Sequence, residues 1–389
     1  MIRQKIERII NKKRCTLLGI GPMSKNCVDA SIEIANKYDV PVFLIASRRQ
    51  IDSKEFGGGY VNNWDTKEFA DYVNERDKKS NIILARDHGG PWQNDFEIKK
   101  GFSLKLAMDS AKKSFLEDIR AGFQKIHVDP SIDLYGGASV DDIIDRILDL
   151  YEFCWVQAQA LGKDLVFEIG AEEQTGSASG TEEELDYLLT EVKKQCNESN
   201  LPLPTFVVVQ TGTKVVETRN VGSLDSPFRI ANEIAAEIQV PKMLGVCKRH
   251  KVFLKQHNTD YLSDETLKWL PKLGIHAANV APEFGVAETQ ALFDEFEFWK
   301  RQDLLERYVE IAVKSKKWQK WVLESSKLSD KELALICGHY VYSNPEINEI
   351  KEEFNKSLPK NELNLDERLK IKVKSKILRY LTNFRLAGL

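Results

Sequence analysis

Eight short apolar runs, separated by segments with helical periodicity, are the feature that most restricts the fold of this chain. Most runs are almost continuously apolar, as in parallel strands covered on both faces. Alternation of strand and helix predicts a parallel sheet with right-handed crossovers. Eight repeats favour closure into a (β/α)₈ TIM barrel of the α/β class, with an open doubly wound sheet as the alternative. The runs are residues 15–20, 41–46, 81–86, 124–129, 164–169, 205–210, 251–256 and 274–279.

The strand-like runs stop before residue 297, and the remaining sequence is helical and rich in charge. We therefore expect a barrel over residues 1–296 and a helical C-terminal extension over 297–389 that packs on the barrel. The basic stretch 367–385 carries apolar residues between its cations. This pattern favours an amphipathic helix with a solvated face over a surface for a partner or for nucleic acid.

Composition excludes several classes of protein. Hydrophobic residues make up 42% of the 389 residues and charged residues 30%, which excludes global disorder. The net charge of −3 gives no support for nucleic-acid binding. No apolar run approaches the roughly 20 residues that cross a bilayer, and the charged N-terminus lacks a secretory core. We expect a soluble cytoplasmic protein, and its six separated cysteines argue against a disulfide framework or a zinc ribbon.

Polar side chains stand at the ends of most predicted strands, where a barrel gathers its catalytic groups. The third run is followed by Asp87 and His88, the fifth contains Glu168, and His257 follows the seventh. A barrel needs no such residues there for stability, and burying them unpaired costs a few kcal/mol each. Two histidines and a glutamate from different strands are typical of a catalytic divalent-metal site. Imidazole suits zinc, and nearby carboxylates also permit manganese or magnesium.

Structural roles remain open for each of these residues. His88 could bond within its own loop, and Glu168 could pair with a lysine or arginine at the edge of the core. His127, on the fourth run, could be a satisfied core histidine. Lys255 shares a strand face with His257, so we expect it to point into the barrel. An inward lysine is either paired with a carboxylate or reactive.

Two sequence blocks, Asp87-His-Gly-Gly-Pro91 and His257-Asn-Thr-Asp-Tyr261, carry a resemblance to a known family. The chain resembles the class II (metal-dependent) sugar-bisphosphate aldolases and looks closest to the group that contains the tagatose-bisphosphate aldolase accessory subunit. The resemblance extends over almost the whole chain. Further matching segments are residues 47–52, 56–60, 91–93, 122–129, 208–210 and 288–293.

The resemblance implies a (β/α)₈ barrel and aldol chemistry with a divalent metal, zinc in the first place and manganese or cobalt as alternatives. The metal polarises a carbonyl and stabilises an enediolate. By resemblance, Asp87 exchanges the proton, His88 and His257 bind the metal with Glu168, and Asn279 contacts the substrate. A homodimer is also expected from the relatives.

The chain departs from the metal-dependent enzymes at two places. They carry a further histidine after strand six, where this chain reads Gln210-Thr-Gly-Thr-Lys214. Their phosphate-binding loops are replaced by residues 258–260 and 281–283, which bring carboxylates that repel phosphate. Cations elsewhere on the rim could compensate, namely Arg48, Arg49, Arg86, Lys214, Arg219 and Lys255. The residues we assign to substrate binding are Arg86, Asp129, Glu173, Gln210, Lys255 and Asn279.

Three functions compete. The first is an active metal-dependent aldolase, or a closely related epimerase, that acts on a ketose phosphate or related sugar. The second is a non-catalytic subunit that stabilises a tagatose-bisphosphate aldolase partner, which the missing histidine favours. The third is a metal-free aldolase that uses Lys255 or Lys214 as a Schiff-base nucleophile.

Overall fold

A closed barrel of eight parallel strands forms the centre of the computed structural model, which describes residues 1–136, 138–170, 181–225 and 235–387. The barrel closes where Leu17 pairs with Ala277, and the predicted (β/α)₈ fold is confirmed. A small antiparallel hairpin, β7 (Val215–Val216) and β8 (Arg219–Asn220), follows the sixth strand. The barrel strands are β1 (Leu17–Ile20), β2 (Val42–Ser47), β3 (Ile82–Gly89), β4 (Lys125–Val128), β5 (Val166–Ile169), β6 (Phe206–Val208), β9 (Phe253–Gln256) and β10 (Ala277–Val280).

Helices cover the outside of the barrel between its strands. Many begin at a side chain that accepts a backbone N–H, which satisfies donors left free in the first turn. Asp65, Ser139 and Thr181 each form a full capping box with the residue three positions later. The helices are α1 (Ile2–Lys13), α2 (Lys25–Tyr38), α3 (Thr66–Arg76), α4 (Asp95–Lys99), α5 (Leu104–Ala121), α6 (Val140–Ala160), α7 (Glu182–Glu198), α8 (Ala236–His250), α9 (Asp264–Leu273) and α10 (Pro282–Phe298).

The C-terminal part adds α11 (Gln302–Lys314), α12 (Asp330–Cys337), α13 (Pro345–Ser357) and α14 (Leu365–Asn383). Helix α14 packs against α2 and α10, and its Val373, Ile377 and Tyr380 belong to the apolar core of the barrel. Helices α10 to α13 share a second apolar core. Two 3₁₀ turns, Lys317–Lys320 and Gly338–Val341, bring this part of the chain to the barrel mouth.

The sequence predicts neither a membrane-spanning helix nor a disulfide framework. Among the described residues, no helix is long and apolar enough to cross a membrane. All six cysteines are buried free thiols, so the chain has no disulfide framework.

Candidate active site at the barrel mouth

A pocket of about 180 Å³ opens at the carboxyl-terminal mouth of the barrel. The barrel side of its wall includes Asp87, His88, His257 and Asn279. The C-terminal part of the chain supplies the other side of the wall, with Lys320, Trp321 and Tyr340. In barrel enzymes, active sites lie at this end of the strands. The position alone therefore makes the pocket a candidate active site.

Strand alternation aims a row of polar side chains into the barrel beneath this pocket. His127 of β4 stands in register with Glu168 of β5, and Lys125 lies two residues earlier on the same face. Strand β9 contributes Lys255 in the same way, two residues before His257. These five side chains are at most 3% exposed, so they interact with one another in a medium of low polarity.

Asp87 lies where three imidazoles converge. Its Oδ1 accepts a hydrogen bond from the Asn279 amide at 3.0 Å and lies 3.6 Å from Nδ1 of His127 and 3.7 Å from Nε2 of His257. Its Oδ2 lies 3.9 Å from Nε2 of His88. Burial alone would raise the pKa of Asp87, but the charges of His88 and His257, with the nearby imidazole of His127, hold it well below its ordinary value. Asp87 is therefore a carboxylate at neutral pH.

His88 is held in a strained conformation that points its ring at the pocket. Its backbone lies in the left-handed region, with φ of 45°, and the pairing of β3 with β4 shifts register between Arg86 and Gly89. Such bulges and strained residues concentrate at functional sites. Nδ1 of His88 lies 2.6 Å from a carboxylate oxygen of Asp129. Burial lowers the pKa of His88, but the charge of Asp87 and the bond to Asp129 outweigh it and raise the value.

The glycines of the Asp-His-Gly-Gly motif allow this turn to lie against β4. A Cβ atom on Gly90 would stand 2.2 Å from the carbonyl oxygen of Asp129, a distance that no side chain tolerates. The close approach of β4 therefore requires glycine at position 90 of the motif.

Glu168 is the anion of a buried group of three charges. Its carboxylate accepts hydrogen bonds from Lys125 and from Lys255, the latter at 2.8 and 3.0 Å. Nε2 of His257 lies 3.2 Å from the same carboxylate. Burial would raise the pKa of Glu168, and the two ammonium charges hold it well below its ordinary value. Burial lowers the pKa of Lys125, and the like charge of Lys255 lowers it further against the opposing effect of Glu168.

The donor set fits a divalent cation. Asp87, His127, Glu168 and His257 each offer a ligand atom, and these atoms lie within 4.8 Å of one another. A second group with the same property combines His127 with His88 and Asp129. The ring nitrogens of His127 and His257 that lie nearest Asp87 are Nδ1 and Nε2, whereas the opposite nitrogens, Nε2 of His127 and Nδ1 of His257, are buried without a hydrogen-bond partner within the described residues. Imidazole and carboxylate together suit zinc, manganese or cobalt.

The structure brings most of the residues selected from the sequence to this cluster, and Arg86 is the clear exception. Arg86 points outward from β3, where its guanidinium forms two hydrogen bonds with Asp118 of α5 and two with backbone carbonyls. Gln210 is buried after β6. Glu173 lies outside the described residues. Lys255 is fully buried beneath the pocket and Lys214 is exposed, and neither is among the described residues that line it.

Sequence reasoning gave too little weight to β4. The sequence alone allows His127 to be a core histidine and does not mark Lys125, although their spacing of two residues places both on one strand face. His127 now supplies a third imidazole to the cluster, from β4 and not from the loop after β6. No local sequence pattern indicates that Trp321 and Tyr340 line the pocket, because their positions depend on how distant helices pack.

A barrel with carboxylates and imidazoles gathered at its carboxyl-terminal mouth has the general architecture of a barrel enzyme. Over residues 2–344 the chain matches the family described as D-tagatose-1,6-bisphosphate aldolase subunit GatZ/KbaZ-like, and it belongs to that family. This confirms the family resemblance seen in the sequence. A search of curated proteins gave no significant match.

Solved structures with the same fold include proteins described as a kinase and as aldolases. A probable tagatose 6 phosphate kinase from Sinorhizobium meliloti 1021 superposes with a TM-score of 0.73 at 16% identity and covers 95% of this chain and 100% of its own. The YdjI aldolase from Escherichia coli K12 gives a TM-score of 0.53 at 14% identity, covering 100% and 98%. The fructose-bisphosphate aldolase from Campylobacter jejuni gives 0.54 at 11% identity, covering 99% and 94%. At these identities the likeness concerns the fold.

Proposed function

We propose that this chain catalyses metal-dependent aldol cleavage and condensation, or a closely related epimerisation, of a ketose phosphate or related sugar. The observation that carries the proposal is the buried cluster of Asp87, His127, Glu168 and His257, whose ligand atoms lie within 4.8 Å of one another. Asp87 and His257 also line the pocket. Family membership and the aldolase structures among its structural neighbours agree with this chemistry.

The proposed ligands of a divalent cation are His257 and Glu168, as expected from the sequence, joined by His127. His88, also expected as a ligand, shares the second group with His127 and Asp129. Zinc is the first candidate, with manganese or cobalt as alternatives. When bound, such a cation polarises a substrate carbonyl and stabilises the developing enediolate. The two lysines keep Glu168 ionised by lowering its pKa.

Asp87 has the proposed role of proton acceptor and donor. Its carboxylate is ionised at neutral pH, and the amide of Asn279 donates to Oδ1 at 3.0 Å. This hydrogen bond fixes the orientation of the carboxylate at the pocket. Proton exchange by a positioned group contributes about 10²- to 10⁴-fold in rate. Asn279 would thus act on the substrate and also position Asp87.

The decisive experiment measures bound metal and proton exchange in the same preparation. Protein purified without chelator is analysed for metal, and deuterium exchange into dihydroxyacetone phosphate is followed by NMR. We expect Asp87→Asn to keep its metal and lose exchange by about 10²-fold or more. The double variant His127→Ala/His257→Ala should lose the metal, whereas the control His250→Gln, which removes a histidine paired with Asp186 at the end of α8, should keep both.

A non-catalytic subunit remains the second candidate. Two observations favour it: the family is described as an aldolase subunit, and the carboxylate of Glu168 is already paired with two lysines, which competes with metal binding. Absence of metal and of exchange in the wild-type protein, even after incubation with zinc, manganese or cobalt, would favour this role. Copurification of the tagged chain with an aldolase from its own cells then tests it directly, and sedimentation tests the proposed homodimer.

A further inference from the structure

The usual phosphate-binding position of a barrel is already occupied by the chain itself. In many (β/α)₈ barrels phosphate binds at the loops after the last two strands and at a helix N-terminus there. Here the backbone N–H groups of Ala281 and Glu283, at the start of α10, both donate to Oδ1 of Asp260 at 2.9 Å. Asp260 is only 2% exposed. The donors that would hold a phosphate are therefore used by a side chain.

A second carboxylate, that of Glu283, also lies at the start of α10. Glu283 accepts a hydrogen bond from the backbone of Tyr261 at 2.6 Å and another from the hydroxyl of Tyr380. Its Oε1 lies 3.2 Å from the ammonium of Lys376 and 3.5 Å from the guanidinium of Arg379. The cations that α14 brings to this place are thus engaged with Glu283. Two carboxylates at one helix N-terminus repel a phosphate dianion.

The cations of the rim can be sorted by their partners. Arg48 is fully buried and paired with Asp52 and Glu97, while Arg86 and Lys255 are paired with Asp118 and Glu168. Among the described residues that line the pocket, the lysines and arginines are Arg49 and Lys320. These two side chains define what we call the basic wall of the pocket.

The basic wall carries an excess of positive charge. Nε of Arg49 lies 2.6 Å from Oδ1 of Asp95, and Nζ of Lys317 lies 3.6 Å from Oδ2 of the same carboxylate. One carboxylate therefore faces Arg49, Lys317 and Lys320. The side chain of Lys320 is exposed, and the like charges of Arg49 and Lys317 act on it against the opposite charge of Asp95. A bound anion would relieve this repulsion.

The segment that carries Lys320 is fixed by contacts of its neighbour Trp321. The carbonyl of Trp321 accepts the backbone N–H of Glu217, in the turn between β7 and β8, at 2.9 Å. The indole of Trp321 donates to the hydroxyl of Tyr340 at 3.1 Å, and the ring of Tyr340 lies 4.7 Å from that of Tyr60. The basic wall is therefore built before any ligand binds, which limits the entropy lost on binding.

We propose that the pocket binds the phosphate group of its substrate between Arg49 and Lys320, and not at the N-terminus of α10. The inference rests on the proposed function for the choice of a phosphorylated ketose as ligand. It makes the C-terminal part of the chain a determinant of specificity, because Lys320 belongs to that part. The other end of the substrate, next to Asp260 and Asn279, is then a polar group without phosphate.

Calorimetric titration of the full chain with dihydroxyacetone phosphate and with inorganic phosphate tests the basic wall. Loss of one charge-assisted hydrogen bond should raise Kd about tenfold or more, so we expect this effect in Arg49→Met and in Lys320→Met. The double variant should show no saturable binding. The matched control Lys372→Met removes an exposed cation of α14, which is not among the described residues that line the pocket, and should bind like wild type. Unphosphorylated dihydroxyacetone should bind no more weakly to the two single variants than to wild type.

Asp260→Asn provides the converse test, because the amide oxygen can still accept both backbone N–H groups. We expect its phosphate affinity to stay at or above that of wild type. Wild-type binding in the double variant, weaker binding in Asp260→Asn, or no saturable phosphate binding by the wild type would overturn the proposal.

Phosphate binding does not require turnover, so the experiments can contradict the proposed function and the basic wall independently of each other. Binding that depends on Arg49 and Lys320 without deuterium exchange contradicts only the proposed function. Exchange that is insensitive to both residues contradicts only the basic wall.

Discussion

Replacing Arg86 by methionine tests whether this residue is structural, as its surroundings indicate, or binds substrate, as the sequence suggested. Its guanidinium forms hydrogen bonds of 2.8 and 2.6 Å with the carboxylate of Asp118. It also donates to the carbonyls of Ala46 and Ile51 at 2.9 and 2.7 Å. Both charged side chains are fully buried. Arg86→Met therefore leaves the carboxylate of Asp118 in the interior without its main partner.

The loss of stability can be estimated from the proton that Asp118 must then take up. Breaking a buried ion pair by removing one partner costs about 3–5 kcal/mol. Protonating a carboxyl of ordinary pKa about 3.9 at pH 7 costs at most about 4 kcal/mol, since each unit is worth about 1.4 kcal/mol. Burial already raises the pKa of Asp118 against the opposing charge of Arg86, and the substitution raises it further.

The sign of the pH dependence follows from this raised pKa. A carboxyl whose folded-state pKa is raised favours folding at low pH, and this contribution is lost as the pH rises through the folded-state value. The variant should therefore come closest to wild-type stability near pH 4, the ordinary pKa of an aspartate, and fall behind by up to about 1.4 kcal/mol for each unit of pH above it. Arg48 lies near enough to reduce this slope, because its charge also lowers the pKa of Asp118.

Urea denaturation followed by circular dichroism at pH 5, 6, 7 and 8, with EDTA present, measures these differences. The double variant Arg86→Met/Asp118→Leu is the matched control, and it should recover most of the lost stability because apolar replacements of buried pairs are often neutral. A stability deficit below about 1 kcal/mol at pH 8, or one that does not depend on pH, would refute the reasoning. Loss of phosphate binding in a fully stable Arg86→Met protein would restore the substrate role.

Three further predictions concern the pocket, its helix N-terminus and the C-terminal helix. Gly19→Ala places a Cβ atom 2.3 Å from Oδ1 of Asn279, so deuterium exchange should fall while the fold is retained. The control is Gly245→Ala at an open helical position, which should raise the free energy of unfolding in urea by up to about 1 kcal/mol. Burial raises the pKa of Asp260 to about 7 against two backbone hydrogen bonds. The free energy of unfolding of the wild type, relative to that of Asp260→Asn, should therefore decline between about pH 4 and pH 7. Urea denaturation at both pH values measures this difference. Deleting α14 exposes apolar core, and light scattering should detect aggregation.

Much of the fold could be predicted because it depends on local pattern. Each of the eight apolar runs overlaps a barrel strand, and helices lie between the strands as the alternation predicts. The hairpin of β7 and β8 could not be predicted, because strands of two residues show no periodicity. The shared core of α14 and the barrel depends on tertiary packing, which an amphipathic pattern leaves undetermined.

The candidate site was predictable where strand ends alone decide it. Asp87, His257 and Asn279 meet because the carboxyl ends of parallel strands gather at one mouth. Arg86 follows the same rule in sequence, yet alternation turns its side chain outward while its neighbour Asp87 points inward. The roles of Lys320 and Asp260 depend on contacts between segments that are far apart in sequence. Only coordinates reveal which carboxylate each cation pairs with.

The strongest argument for chemistry in this pocket is the charge buried beneath it. A barrel interior is ordinarily filled by layers of branched apolar side chains. Here Lys125, Glu168 and Lys255 are all 0% exposed, and replacing such buried ionic groups by apolar ones is often neutral or stabilising. Stability alone therefore gives no reason to retain them. A group of residues that is neutral or costly for folding is expected where binding or catalysis requires it.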